Sequence, residues 1–417
     1  MNISLLTTGT RGDTQPYIAL GKELKKLGHA VKIAAFENYQ GLVEDHGLDF
    51  HPIKGDISKI VGEMSKSSIE SDNPLKFFTS FRKMKPYIKD KQMGMQSDLF
   101  DACEEADAII YHPGAAIGQF AGEYFGVPTV LATPFPMAAT KNYPALIFYR
   151  VRLGKMANLL THKLFEKGFW LTVKSPIGEF WKERFGMLPK HFNNPYLKET
   201  TRFHTSVMSM SQHVFPQSNE ETKCLGYWFL KEDLTDWEPP KELVSFIESG
   251  KPPIYVGFGS IYDENANETA KLVVEALRKT GHRGILGMGW NRVDDIEDFK
   301  DMYFIDNIPH TWLFQRTAGV IHHGGAGTTA ATYYSGVPSV VVPHGNDQFA
   351  WGKRTEELGV GSAPIPRKEL TVEKLMDGIL RMQQESVVEK ARELGNRLQK
   401  ENGARDTALY IHTFLNN

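Results

Sequence analysis

Residues 319–352 read GVIHHGGAGTTAATYYSGVPSVVVPHGNDQFAWG, and they restrict the fold more than any other part of the chain. The short apolar run GVI ends in two histidines. GGAG and two threonines follow, a combination that turns the chain and can open a helix. A second apolar run, VPSVVV, stops at Pro343. The order is strand, glycine-rich turn, helix, strand. Glycine lets a backbone approach a phosphate closely, and the first amides of a helix present free N–H groups and a positive dipole end. His323, Gly325, Gly327 and Thr328 are therefore expected to cradle a diphosphate. Asp347 and Gln348, expected at the end of the next strand, are short polar groups suited to neutral hydroxyls. A diphosphate holder beside a hydroxyl reader describes a nucleotide-sugar site. A glycine-rich turn alone occurs in many nucleotide-binding folds; the two histidines before it and PxxxDQ after it narrow the reading.

A chain of 417 residues is too long for a typical single core and predicts two domains. Apolar residues make up 41% and charged residues 24%, as in a soluble globular protein, and a net charge of −2 gives no general attraction to nucleic acid or anionic lipid. Cys103 and Cys224 are far apart, which predicts no disulfide framework and fits a reducing cytoplasm. MNISLLTTGTRGD lacks the basic start and long apolar stretch of a signal peptide, and no apolar run approaches membrane-spanning length. NISLLTT, VKIAAF, ADAIIYHP and PTVLAT read as strands in the first half, with a helix from Pro16 to Leu27 stopped by Gly28 and another ending at Gly126. PPIYVGFGS, GILGM, MYFID, GVIHH and VPSVVV restart the pattern. This alternation predicts α/β domains with parallel, doubly wound sheets, in which ligands bind beyond the carboxyl ends of the strands. The expected division is a first domain over 1–232, a linker with a short helix over 233–253, a second domain over 254–403 and a final helix over 404–417.

HHGGAGTT followed by PHGNDQ resembles the donor signature of nucleotide-sugar-dependent glycosyltransferases of the GT-B type. Within that group, NIPHTWLFQRTAGVIHHGGAGTT and GVGSAPIPRKELT are most similar to the sterol 3-beta-glucosyltransferases, with the glycopeptide-antibiotic glycosyltransferases as close cousins. The resemblance is dense over roughly 250–375 and 1–40 and thin between about 137 and 250. It implies two Rossmann-like domains facing a central cleft. The first would bind the acceptor and the second the nucleotide sugar, with the final helix packed back on the first domain.

GTRGDTQP, residues 9–16, follows the first strand. Gly9 and Gly12 allow a tight turn, and Gly12 is counted with the donor contacts. Asp13 is expected at the cleft mouth, just before a helix. Transfer to a hydroxyl needs a group that removes the acceptor's proton, and a desolvated carboxylate can do this. Helix capping competes for the same side chain. Related plant and animal enzymes carry a histidine here in a GHxxP pattern; the sterol and glycopeptide enzymes share the aspartate. His112 ends AIIYHP, where Pro113 biases it to an extended backbone. The resemblance places the orienting partner of the base at this strand end, so Asp13 and His112 look like a swapped pair. A histidine that merely bonds nearby backbone is the competing reading.

The resemblance gives Ser260 a phosphate contact and sets Trp290 and the NIPHTW segment, with His310, around the nucleoside; a plain turn serine is the alternative for Ser260 and a core position for Trp290. Where the plant enzymes have a tryptophan in a WxPQ motif, this chain has Asn307 to His310. Trp351, with DQ two residues before WG, matches the sterol-like branch. Residues 144–181 are aromatic and basic: Arg150 to Lys174 hold six Lys or Arg and one acidic residue. Such a helix can lie on a membrane surface, line a greasy acceptor pocket, or be a solvated face over a core stripe. No HExxH, DxD or cysteine cluster appears, so no metal and no bound cofactor are expected.

The sequence thus predicts an inverting, metal-independent hexosyltransferase moving glucose from UDP-glucose to a hydroxyl of a lipophilic acceptor such as a sterol, triterpenoid or polyketide. It is expected to be cytoplasmic, with peripheral membrane contact through 144–181 as one option and no nucleic-acid partner. The alternatives are an antibiotic-type enzyme using a dTDP-sugar, a sugar-nucleotide epimerase and a non-enzymatic nucleotide-sugar-binding protein.

Overall fold

The computed structural model describes residues 1–55, 93–149, 154–217, 221–230, 237–258, 266–287, 301–306, 308–345 and 347–417. They fall into two compact units: Met1–Lys231 with Glu401–Asn417, and Glu232–Lys400.

The first unit runs β1 (Asn2–Leu6), α1 (Arg11–Lys26), β2 (Ala30–Phe36), β3 (Asp49–Ile53), β4 (Ala108–Tyr111), α2 (Ile117–Phe125), β5 (Thr129–Thr133), α3 (Lys155–Phe185), β6 (His204–Met208) and β7 (Thr222–Cys224). The strands form one parallel sheet in the order β3-β2-β1-β4-β5-β6-β7. A parallel sheet is covered on both faces, so its central strands β1, β4 and β5 are buried almost throughout rather than alternating between core and solvent. Successive side chains still part to opposite faces. Ala108, Ile110, Val130 and Ala132 join the core under α1, while Ile109, Tyr111 and Leu131 join the core under α2 and α3.

The second unit contains α4 (Lys241–Glu248), β8 (Ile254–Gly257), α5 (Ala266–Lys279), β9 (Gly284–Leu286), β10 (Met302–Phe304), β11 (Gly319–His322), α6 (Ala326–Ser335), β12 (Ser339–Val341), α7 (Gln348–Leu358), α8 (Val372–Met382) and α9 (Glu385–Leu398). Its parallel sheet has the order β10-β9-β8-β11-β12. The last helix, α10 (Gly403–Leu415), belongs to the first unit and packs along α1. Ala408 and Ile411 enter the same core as Tyr17, Ile18 and Leu24. The Trp228 indole donates to Thr407 Oγ1 at 3.0 Å, and His29 Nε2 lies 2.9 Å from His412 Nδ1.

Both units are doubly wound, as the alternation of strands and helices predicts. The sequence reading passes over β3, β6 and β7, and it starts the first helix at Pro16, whereas α1 begins at Arg11. In each sheet the strand order reverses once, between β1 and β4 in the first unit and between β8 and β11 in the second. Connections leave in opposite directions at such a point and open a crevice beyond the strand ends.

Candidate active site

The first reversal point is built from the turns after β1 and β4. Leu6 and Tyr111 are register partners, and His112 N–H donates to Leu6 O at 2.9 Å, so the two strand ends lie side by side. Asp13 is not ahead of the helix but its third residue. Thr10 is the N-cap, and the Asp13 carboxylate accepts from the Thr10 amide at 2.7 Å and from the Thr10 hydroxyl at 3.0 Å. This is a capping box with aspartate in place of glutamate. Gly12 is the second residue of α1, exposed on the same turn. Gly9 has φ +120°, and a Cβ there would lie 2.3 Å from Asp13 Oδ2, so only glycine permits this placement.

His112 has an extended backbone (φ −67°, ψ 148°) and caps the short turn Pro113–Ala115. The Gly114 amide donates to its Nδ1 at 2.9 Å, and Thr8 Oγ1 lies 3.2 Å from the same nitrogen. An acceptor Nδ1 puts the ring proton of a neutral imidazole on Nε2. Nε2 stands 3.8 Å from Asp13 Oδ1, about 1 Å beyond a hydrogen bond. Burial pushes the His112 pKa down to about 3, so the ring is neutral near pH 7. Burial also raises the Asp13 pKa, against two lowering contacts from Thr10. The Asp13 side chain nevertheless keeps 31% of its surface open, enough for a substrate to reach it.

The second reversal point carries the glycine-rich turn. His322, the last residue of β11, is fully buried, and its Nδ1 accepts from the Gly324 amide at 3.1 Å. Gly324 has φ +90°, and a Cβ there would meet Val341 Cγ1 at 2.7 Å and Gln348 O at 2.9 Å. The turn is thus pressed between β12 and the start of α7. Gly325 is the N-cap of α6, and Thr329 is the first residue to bond back to it, at 2.9 Å. The amides of Ala326, Gly327 and Thr328 therefore have no partner within the helix. The His323 ring has its Nδ1 buried without a hydrogen-bond partner among the described residues. Burial pushes its pKa down to about 4, reinforced by His344 and opposed by a hydrogen bond to the Gly257 backbone. His310 stacks on Phe314 with centroids 4.5 Å apart and is close enough to lower the pKa of both His322 and His323.

Asp347 and Gln348 do not sit at a strand end. Asp347 is the N-cap of α7 and Gln348 its first residue. The Gln348 carbonyl oxygen accepts from the amides of His344 at 2.8 Å and Gly345 at 3.3 Å, which ties it to its own turn. The fully buried Trp351 donates its indole N–H to Asp347 Oδ2 at 3.1 Å. Sequence reasoning missed this bond, although the four-residue spacing on a helix carries the signal. It also missed Thr8, Thr10 and Gly114, of which only Thr10 was legible, through the T-x-x-D spacing. Ser260, Trp290 and Asn307 lie outside the described residues, as do 150–153 of the basic segment and 233–236 of the expected linker.

Residues 3–144 match the Glycosyltransferase family 28 N-terminal domain, and residues 272–412 match the Erythromycin biosynthesis protein CIII-like, C-terminal domain. The crystal structure of the glycotransferase of kitacinnamycin shares the fold over 99% of both chains, with a TM-score of 0.70 at 19% identity. Two doubly wound units matched in this way define a GT-B glycosyltransferase. The sterol 3-beta-glucosyltransferase UGT80B1 of Arabidopsis thaliana is 31% identical over 100% of this chain and 68% of its own length. That of Candida albicans is 35% identical over 99% of this chain, which spans 28% of that protein. The chain belongs to the GT-B glycosyltransferase family that contains these sterol 3-beta-glucosyltransferases.

Proposed function

We propose that the chain transfers glucose from UDP-glucose to a hydroxyl of a lipophilic acceptor of the sterol or triterpenoid kind, with inversion and without a metal ion. The relatives named as sterol 3-beta-glucosyltransferases support the sugar and the acceptor class. The observation that carries the chemistry is the Asp13–His112 pair at the first reversal point. Asp13 takes the acceptor's proton as the hydroxyl oxygen attacks the anomeric carbon. The bond from that carbon to the diphosphate breaks on the opposite face, and UDP leaves with the electron pair. A raised pKa makes Asp13 a stronger base than an ordinary aspartate. His112 is a positioning residue: its Nε2–H faces Asp13 Oδ1 at 3.8 Å and steers the carboxylate toward the acceptor electrostatically, without a hydrogen bond. His323 and the first amides of α6 hold the departing diphosphate, as helix N-termini do for anions. Asp347, oriented by Trp351, reads sugar hydroxyls.

The direct test incubates the protein with UDP-glucose or dTDP-glucose and a panel of sterols, triterpenoids and polyketide aglycones, with and without EDTA. A β-glucoside formed from UDP-glucose with EDTA present is expected. Donor turnover to an epimer without acceptor, or dependence on an added divalent ion, would overturn the proposal.

The pH profile gives a second check. As pH falls, Asp13 is protonated above the ordinary aspartate range, and the base is lost. Log(kcat/KM) is expected to drop with unit slope on that acid side. His112 adds no inflection near its usual value of 6.5, because its ring is neutral down to about pH 3. An acid limb that moves in His112→Gln but not in an Asp13 variant would reverse the two roles.

Sugar reading is tested at Trp351. Trp351→Phe keeps a ring in the buried slot but removes the donor to Asp347. A hydrogen bond to a charged group is worth about 1.5–3 kcal/mol, so kcat/KM for UDP-glucose is expected to fall about 10–100-fold. Asp347→Ala is expected to fall further, and calorimetry is expected to find UDP affinity nearly unchanged in both. Loss of UDP binding would move Asp347 from the sugar to the phosphate turn.

A further inference from the structure

Over its first twenty residues α3 exposes one kind of surface. The exposed side chains between 155 and 174 are Lys155, Met156, Leu160, Lys163, Leu164, Lys167, Leu171 and Lys174. Met156, Leu160, Leu164 and Leu171 are 72%, 56%, 49% and 63% exposed. At 100° per residue these four fall within an arc of about 80°, and Lys163, Lys167 and Lys174 lie within or beside the same arc. The opposite face turns Phe165 into the core of the first unit and packs Phe169 against it. Apolar residues thus line both faces, and only one face has a protein partner.

Charge decides what fits the other face. Glu166 is the one acidic residue between 155 and 174. Its side chain is turned inward, 4% exposed, and burial pushes its pKa up to about 8. Lys163 is near enough to oppose that rise, and no acidic side chain is exposed among the lysines of the outer face between 155 and 174. Leucine and methionine flanked only by lysine match the acyl and headgroup layers of an anionic bilayer. Among the described residues no helix is long and apolar enough to cross a membrane, so the match is to a helix lying in the interface.

We infer that the face of α3 formed by Met156, Leu160, Leu164, Leu171 and the intervening lysines docks the protein on the surface of an anionic lipid bilayer. The surface shares no residue with the Asp13–His112 pair or the glycine-rich turn, and the inference needs neither of their assigned roles.

The test is flotation of the full chain with vesicles of phosphatidylcholine alone or of equal parts phosphatidylcholine and phosphatidylserine. Wild-type protein is expected to float with the anionic vesicles, to stay behind with the neutral ones, and to release as salt rises. Replacing Lys163, Lys167 and Lys174 together by Glu is expected to lower partitioning by at least about a hundredfold. Leu160→Asp with Leu164→Asp is expected to abolish it. These side chains are exposed, so melting curves should match wild type; should the leucine pair fail to fold, the lysine triple decides alone. Wild-type protein that ignores anionic vesicles, or variants that float like wild type, would overturn the inference. So would a dimer that both variants convert to monomer while vesicle binding is unchanged, since a second copy would then be the occupant.

Discussion

Asp13→Asn is expected to lower glycosyl transfer by about 10²–10⁴-fold, the scale of losing a general base. The substitution separates chemistry from architecture. An asparagine side-chain oxygen can still accept the Thr10 amide, so the start of α1 and its capping are retained. Size and shape beside Gly9, where no Cβ fits, are also kept. What is lost is the capacity to take a proton. Initial rates with UDP-glucose and a responsive acceptor, alongside a thermal melt, measure both halves. Near-normal turnover with an unchanged melt would remove Asp13 from the mechanism. His112→Ala is expected to cost less, because it removes the group that steers the carboxylate and leaves the carboxylate itself.

His323→Ala is expected to cost about 10²–10³-fold in kcat, equivalent to about 2.7–4 kcal/mol for one donor to developing negative charge. UDP affinity should fall with it, since the same contact serves the bound product. Its neighbour provides the contrast. His322 accepts the Gly324 amide inside the core, so His322→Ala leaves that amide unpaired and opens a cavity. That variant is expected to melt early, whereas His323→Ala removes a hydrogen bond to the Gly257 backbone from a ring that is only partly buried and should melt closer to wild type. If His323→Ala loses stability and keeps UDP affinity, the ring supports the turn and not the diphosphate.

The strands that position the site were legible because they are apolar runs with glycine or proline at their ends; β1, β4, β8 and β11 all have this form. The strands that were passed over lack it. DFHPI is an edge strand, where a proline is tolerated because no neighbour needs its amide. β6 contains His204 and Thr205, which read as loop residues, yet both are buried and paired: His204 Nδ1 lies 3.0 Å from Thr129 Oγ1, and Thr205 Oγ1 lies 2.7 Å from the Tyr410 hydroxyl. Those partners are 75 and 205 residues away, beyond any local pattern. The start of α1 was misread because Pro16 looks like a first-turn proline, while the T-x-x-D box that begins at Thr10 sets the true start at Arg11. Residue types at the candidate site could be read from sequence. Their hydrogen bonds were harder: Trp351 to Asp347 shows only as a four-residue spacing once the helix start is known, and Gly114 to His112 depends on turn geometry.

The position of α10 bears on how the chain matures during synthesis. β1 to β7 precede it in the chain, but the core around Ile18 and Leu24 is completed by Ala408 and Ile411 of this last helix. Residues 232–400 form a continuous unit and can close as soon as they are made. The unit begun first is therefore finished last, and it carries an open apolar seam through the whole synthesis of its neighbour. Such a seam is where chaperones bind and where aggregation starts. A chain cut at residue 400 would thus keep the whole second unit and leave the first unsealed.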